Sequence, residues 1–275
     1  MHGADTQRER GFLSAGWRLL ETSARPGAWN MTCDRAVLSA VEDGEARPTL
    51  RIFGWSPPAV SIGRHQPDPE HEAIRMLDAR GIDCVRRPTG GRAVYHAGIA
   101  EELTYSVVAP IGVPPFVGRG RDAYRRIHSA LAAALIELGV GAILASDGTE
   151  RRLRALRPDD RLACFASPVG DEVTVGGKKL VGSAQRRTRR AFLQHGSIPL
   201  AGDHRLLDAV WPGSLDPDAA TTVSAAADRT VSYSEMAEHV VRAFERTLNV
   251  RLSPGVLTPE EEVTIDATRG ALATT

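Results

Sequence analysis

The sequence predicts an α/β protein. Two observations predict it. Apolar runs of strand length, bounded by Gly, Pro, Ser and Asn, recur along the chain, and between them lie longer segments with apolar residues at helical spacing. A chain of 275 residues can bury a substantial core, and 42% hydrophobic with 25% charged residues is ordinary for a globular protein. Residues 1–16 read as a loosely ordered leader, and 17–275 as a single domain.

Taken in order, Trp17 to Leu20 reads as the first strand. Asn30 to Val41 places Met31, Ala36, Val37, Leu38 and Val41 near one helical face, with Asn30 as the N-cap. Thr49–Gly54 and Ala59–Gly63 are strands, separated by the turn residues Ser56-Pro57-Pro58. Glu70 to Arg80 is a helix stopped by Gly81. Ile82, Cys84 and Val85 form a strand that enters a glycine loop, and Ala93-Val94-Tyr95 leaves it. Glu102–Pro110 is a strand, and Asp122 to Gly139 is a helix with Ile127, Leu131, Leu135 and Leu138 on its apolar face. The arginine-rich stretch Asp147 to Arg161 reads as an exposed, mobile loop leading to Leu162-Ala163-Cys164-Phe165. Glu172–Val175, Lys179–Gln185 and Ala191–Pro199 are strands, joined by Gly176-Gly177 and by an Arg-rich turn around Thr188. Ser232-Tyr233-Ser234-Glu235 has capping-box spacing and opens a helix to about Leu248. A second capping box, Thr258-Pro259-Glu260-Glu261, has proline at the first helical position.

Lys+Arg and Asp+Glu both number 34, which argues against a general nucleic-acid or membrane-surface binder. The first residues contain no apolar signal segment and no run approaches a membrane span, so a cytoplasmic protein is expected. Cys33, Cys84 and Cys164 are too widely spaced for a metal site or a disulfide framework. Cys33 is expected to pack on its helix and Cys84 to be a small core residue.

Two stretches carry chemistry. The first, Arg86 to His96 (RRPTGGRAVYH), puts Gly90 and Gly91 where a backbone without Cβ atoms can approach a ligand, beside the cations of Arg86 and Arg87. The alternative is a plain hairpin turn with two solvated arginines. The second, Gly176 to Leu200, sets Gly182, Ser183 and Ala184 inside a β-like run, where small residues signal the close passage of a backbone or ligand. Lys178 and Lys179 precede it, and alternation turns one inward and the other outward. A continuous strand puts Lys179 on the face of Val181 and Ser183. A lysine facing a dry pocket can serve as a base, whereas a strand-end lysine is simply solvated.

Together, RRPTGGRAV–H and KKLVGSAQ–LQHGSI, with the opening residues Asn30, Met31 and Asp34, resemble the lipoate and octanoate branch of the biotin and lipoate protein ligase superfamily. The resemblance spans roughly Asn30 to Glu262 and is greatest to octanoyltransferases of the LipM type. It implies a mixed β-sheet flanked by helices, like the catalytic domain of biotin and lipoate protein ligases, with a fatty chain lying between the glycine loop and the GSA strand. It also implies that Arg87, Gly90, Gly91, His96, Gly182, Ser183 and Ala184 bind substrate, that Lys179 is the catalytic lysine, and that Cys164 is the nucleophile. Two departures are visible. Ala97 follows His96 where the family usually has an acid, leaving the roles of Glu101 and Glu102 open, and Ser167 to Glu172 is only loosely family-like.

The implied reaction moves octanoyl from octanoyl-acyl carrier protein to Cys164, then to a lysine of an apo lipoyl-domain protein such as glycine-cleavage H protein or a dehydrogenase E2. A thiolate suits a thioester donor, and backbone N–H groups of the glycine loop or the Ser183-Ala184 strand would stabilise the oxyanion. No cofactor or metal is required. The alternatives are an ATP- and Mg-dependent lipoate–protein ligase, which usually carries a further C-terminal domain longer than the segment beyond Leu248, and a non-catalytic acyl-binding protein.

Overall fold

A computed structural model describes residues 16–145, 171–202, 206–210 and 219–272. Most of the expected leader, the Asp147–Arg161 loop and Cys164 lie outside the described residues. Twelve strands are described: β1 Trp17–Glu21, β2 Thr49–Phe53, β3 Ala59–Ile62, β4 Asp83–Arg86, β5 Val94–His96, β6 Glu102–Pro110, β7 Ile143–Leu144, β8 Val173–Val175, β9 Lys178–Lys179, β10 Gly182–Arg187, β11 Ala191–Pro199 and β12 Leu252–Pro254. The principal helices are α1 Gly27–Asp43, α2 His71–Asp78 and α3 Gly120–Glu137. They are followed by α4 Leu206–Val210, α5 Val223–Ala227, α6 Tyr233–Leu248 and α7 Pro259–Leu272.

The main sheet has the order β10-β11-β6-β2-β1-β12. It is antiparallel from β10 to β2 and parallel from β2 through β1 to β12, hence mixed. Alternation sorts its residues. Leu103, Tyr105 and Val107 of β6 join Leu50, Ile52 and Phe192 against α3 and α6, while Val108 and Leu193 face Cys33 and Val37 of α1. With helices on both faces, β2 and β11 are buried along their whole length, and their polar residues Arg51, Gln194, His195 and Ser197 are buried with them.

The structure corrects two expectations and excludes one alternative. Helix α1 begins at Gly27 behind Pro26, so Asn30 lies in its first turn instead of capping it. Its amide donates to the carbonyls of Arg25 (3.1 Å) and Gly54 (3.0 Å) and accepts from Arg51 (2.6 Å). The glycine loop is not a hairpin. β4 and β5 both pair with β3, one parallel and the other antiparallel, so the loop passes over the end of β3 and Gly91 O packs directly on the backbone of Gly63. The expected strand Lys179–Gln185 is broken at Leu180-Val181, because both N–H groups donate to Val173 O (3.0 and 3.4 Å) while Lys179 bonds the backbone at Ala219 and Thr221. β9 therefore belongs to a small β7-β8-β9 sheet, and only β10 joins the main sheet.

Among the described residues no helix is long and apolar enough to cross a membrane, and no group of three His, Cys, Asp or Glu side chains could hold a metal ion.

The second capping box also closes the fold. Thr258 and Glu261 exchange backbone-to-side-chain bonds (2.8 and 3.2 Å), and the same Glu261 carboxylate receives both Nη atoms of buried Arg18 on β1 (2.7 and 2.6 Å). Glu261→Gln leaves the Arg18 charge buried without its counter-charge and is expected to cost about 3 kcal/mol. Thr258→Ala, which loses only a cap, is expected to cost about 1 kcal/mol. Urea unfolding of the two variants checks the ranking.

Candidate functional site: a groove between two sheets

Directly opposed residues of antiparallel strands share a face, so Gly182 and Ala184 of β10, Ser197 and His195 of β11 and Thr104 of β6 form one surface. The small residues on β10 keep that surface low. The β4-β3-β5 sheet covers it with Ser61, Arg87, Val94 and His96, and Met31 and Trp55 complete the walls. The groove is narrow: the space between its walls, open solvent at the mouth included, is about 350 Å³, of which about 20 Å³ is cavity proper. Gly91, at φ 85°, lies over Ala184, and a Cβ at Gly91 would sit 3.8 Å from the Ala184 methyl. The two sequence motifs thus meet across the groove.

Arg87, buried to 4% exposure, holds the shape of the loop. Its guanidinium donates to Ser61 O (2.9 Å), Gly90 O (2.7 Å) and Arg92 O (2.6 Å). Arg86 is half-buried and bonds Gly63 O (2.7 Å) and Gln66 O (2.8 Å), so neither arginine is a solvated turn residue. On the other side of the loop, Thr89 Oγ1 lies 2.6 Å from His195 Nε2, and His195 Nδ1 lies 2.8 Å from Asp34 Oδ2. The second Asp34 oxygen accepts from Arg51 (2.8 Å) and Ser106 (3.0 Å). Burial would raise the Asp34 carboxyl, but His195 and Arg51 bring it below the usual carboxylate range. Burial pushes the His195 imidazole down.

His96 is stacked on Trp55 (centroids 4.0 Å apart, 15° between planes) and bonded through Nε2 to Ser61 (2.8 Å). Its Nδ1 meets Glu102 Oε1 at 2.7 Å, and Glu102 also accepts from Ala97 N (3.0 Å) and Thr104 (2.7 Å). Burial opposes ionisation of Glu102, yet His96 and Thr104 lower its pKa below the ordinary value. Of the two acids left open in the sequence, Glu102 is the one that supplies a carboxylate to His96.

The GSA strand divides. Gly182 and Ala184 face the groove, whereas the Ser183 hydroxyl points to the opposite face, where it meets Tyr105 Oη (2.8 Å) and His128 Nε2 (2.9 Å). His128, absent from the sequence-derived site, is fully buried on α3, and its Nδ1 lies 2.6 Å from Asp171 O. The signal available for it was a histidine beside Ile127 on the apolar face of the strongest helix. Lys179 is buried and its Nζ lies 2.7 Å from Glu172 Oε1, while Lys178 is exposed. The inward–outward expectation therefore holds, but the shared face with Val181 and Ser183 does not, since the strand is interrupted. Lys179 stands behind the start of β10 and is not among the residues lining the groove.

Burial pulls the His128 imidazole down from 6.5 to about 4, against the favourable bond to the Asp171 carbonyl. The folded pKa lies below the unfolded one, so the contribution to stability is complete above about pH 6.5 and is lost as pH falls toward 4. The stability of the wild type relative to His128→Gln is expected to fall by up to about 3 kcal/mol between roughly pH 7 and pH 4. Urea midpoints across that range measure it.

Comparison with known proteins matches this architecture. Residues 26–245 match the lipoyl protein ligase A/B catalytic domain family. The octanoyltransferase LipM of Kyrpidia tusciae is 42% identical over 260 residues, covering 91% of this chain and 93% of its own. That of Symbiobacterium thermophilum is 41% identical with the same coverage. Among solved structures, a lipoate-protein ligase A bound with ATP superposes with a TM-score of 0.73 at 24% identity over 92% of this chain and 93% of its own. The bipartite lipoate protein ligase of Thermoplasma acidophilum, described with its E2 lipoyl domain, gives 0.66 at 21% over 92% and 91%. At these identities the two structures establish the fold, and the family match and the relatives establish descent: the chain belongs to the lipoyl protein ligase A/B catalytic domain family.

Proposed function

We propose that this protein is an octanoyltransferase of lipoate biosynthesis. It takes octanoyl from octanoyl-acyl carrier protein onto Cys164 and passes it to a lysine of an apo lipoyl-domain protein, such as glycine-cleavage H protein or a dehydrogenase E2. The observation that carries this reading is likeness over nine-tenths of the chain to proteins named octanoyltransferase. The groove between the glycine loop and the GSA strand supports it.

In the first half-reaction the Cys164 thiolate attacks the donor thioester, a new thioester forms and the carrier thiol leaves. In the second, the acceptor amine attacks that thioester, an amide forms, and the Cys164 thiol is released with the proton lost from the amine. Thioester energy drives the amide bond, so the scheme calls for no ATP and no metal. Backbone N–H groups of Gly90 and Gly91, which make no hydrogen bond among the described residues, or of the Ser183-Ala184 strand would receive the oxyanion. Lys179 would hydrogen-bond the acyl carbonyl and assist deprotonation of the acceptor. The other two cysteines are poor nucleophiles, because burial pushes the Cys33 and Cys84 thiols up to about 11 each.

Mixing the protein with octanoyl-carrier protein in the absence of ATP is expected to yield an octanoyl adduct on Cys164 by intact mass spectrometry. Cys164→Ala should form none, while Cys33→Ser and Cys84→Ser still transfer. Dependence on ATP would instead indicate a ligase. Lys179→Ala should lose at least about a hundredfold in kcat/KM, and Lys178→Ala only a few-fold. Because Lys179→Ala strands the Glu172 charge, circular dichroism and a Lys179→Ala/Glu172→Gln variant check that the fold survives. Equal losses at the two lysines would remove Lys179 from the mechanism.

A further inference from the structure

Behind the groove lies a chain of hydrogen bonds whose direction is set by one imidazole. His128 Nδ1 faces a carbonyl, Asp171 O, at 2.6 Å, so that nitrogen carries the proton and Nε2 must accept. Ser183 therefore donates to His128 (2.9 Å), and Tyr105 donates to Ser183 (2.8 Å). Gln194 Nε2 donates to Tyr105 Oη (3.2 Å), and Gln185 Nε2 to Gln194 Oε1 (3.1 Å). Every donor points toward Asp171. Burial, which brings the His128 pKa to about 4, keeps the ring in this neutral form at physiological pH.

The serine–histidine contact looks like that of a nucleophile and its base, but the Ser183 hydroxyl is on the sheet face away from the groove. Its chemistry is that of a tether. One end holds Ser183, between the two residues that form the floor of the groove. The other end holds the carbonyl of Asp171, whose left-handed backbone (φ 68°) is further secured by Arg121 on its carboxylate (2.7 Å). The next residue, Glu172, carries Lys179.

We infer that His128 is a positioning residue for acyl transfer, clamping the GSA strand to the Asp171-Glu172 junction and so fixing Lys179 relative to the groove. This rests on the octanoyl-transfer reading for its kinetic consequence, although the clamp itself does not. The two ring nitrogens can be removed separately. His128→Asn keeps a donor for Asp171 and deletes the acceptor for Ser183, and His128→Gln does the reverse. Ser183→Ala cuts the same link from the other side.

Two measurements test it. In steady-state octanoyl transfer, His128→Asn and Ser183→Ala should each lower kcat about tenfold or more with KM for the carrier protein within about twofold, and the double variant should be no worse than the poorer single. In the absence of substrate, modification of Lys179 by a small amine-directed reagent, read by peptide mass spectrometry, should be several-fold faster in His128→Asn than in the wild type. If His128→Asn does not fold, His128→Gln takes its place in both measurements. Unchanged labelling together with unchanged kcat overturns the inference, as does a double variant whose losses multiply. If the wild type transfers no octanoyl, the functional reading fails and the labelling result alone decides the clamp.

Discussion

The fold around the groove depends on the solvation of one carboxylate. Asp34 has no exposed surface, and an ionised carboxylate removed from water is tolerable only when donors surround it. Those donors arrive from separate elements: Arg51 from β2, Ser106 from β6 and His195 from β11. Satisfying Asp34 therefore sets α1 against three adjacent strands in a single arrangement. Arg51 is held in turn by Asn30 and lies 3.7 Å above the Phe53 ring, which limits its freedom to follow any other partner. The glycine loop inherits this order through Thr89, whose hydroxyl ends the series at the far nitrogen of His195. The loop is thus held from beneath by a charge network and from within by Arg87.

What the sequence made legible was whatever is decided locally. Strands β6 and β11 were placed to the residue, since each is a continuous β-like run closed by proline. The capping signals at Ser232 and Thr258 mark true helix starts, because the bonds that make a cap lie within three residues of each other. Asn30 misled for the same reason. A side chain suited to capping was recruited by Gly54 O and by Arg51, 24 and 21 residues away. The interruption at Leu180-Val181 was invisible because it is imposed from β8 and from the backbone near Ala219. The site divides in the same way. Gly90, Gly91, Gly182 and Ala184 announce themselves by the absence of bulk, whereas His195 with Asp34 spans 161 residues, and His128 with Ser183 spans 55. Neither pair has a spacing that a linear reading could weigh.

Close packing at glycines shapes each of the two sheets beside the groove. Gly91 O rests on Gly63 with no room for a Cβ, and a methyl at Gly196 would stand 2.6 Å from Gly182 O and 2.7 Å from the Tyr105 ring. The first contact is internal to the small sheet and its loop, and the second is internal to the main sheet; the two sheets approach where Gly91 lies over Ala184, a Cβ at Gly91 standing 3.8 Å from that methyl. The polar side chains that line the space are mostly bonded to one another or to residues just behind them. His96 is bonded to Glu102 and Ser61, and Trp55 donates to Thr104 (2.8 Å). The walls are consequently stiff, and an acyl chain would meet ring faces and methyl groups, with the Ser197 hydroxyl as the buried polar atom left without a partner among the described residues lining the space.

The carboxylate at His96 comes from Glu102, the first residue of a strand, reached over the turn Gly98 to Glu101. A site acid supplied from the strand and not from the position next to the histidine separates two quantities that a linear pattern treats as one: where the charge stands in space and where its codon stands in the gene. The spacer can then change length without moving the charge, because the register of β6 between β2 and β11, not the spacer, sets the position of Glu102. A search pattern counting residues from His96 would score this chain as lacking its acid, although the acid is 2.7 Å away.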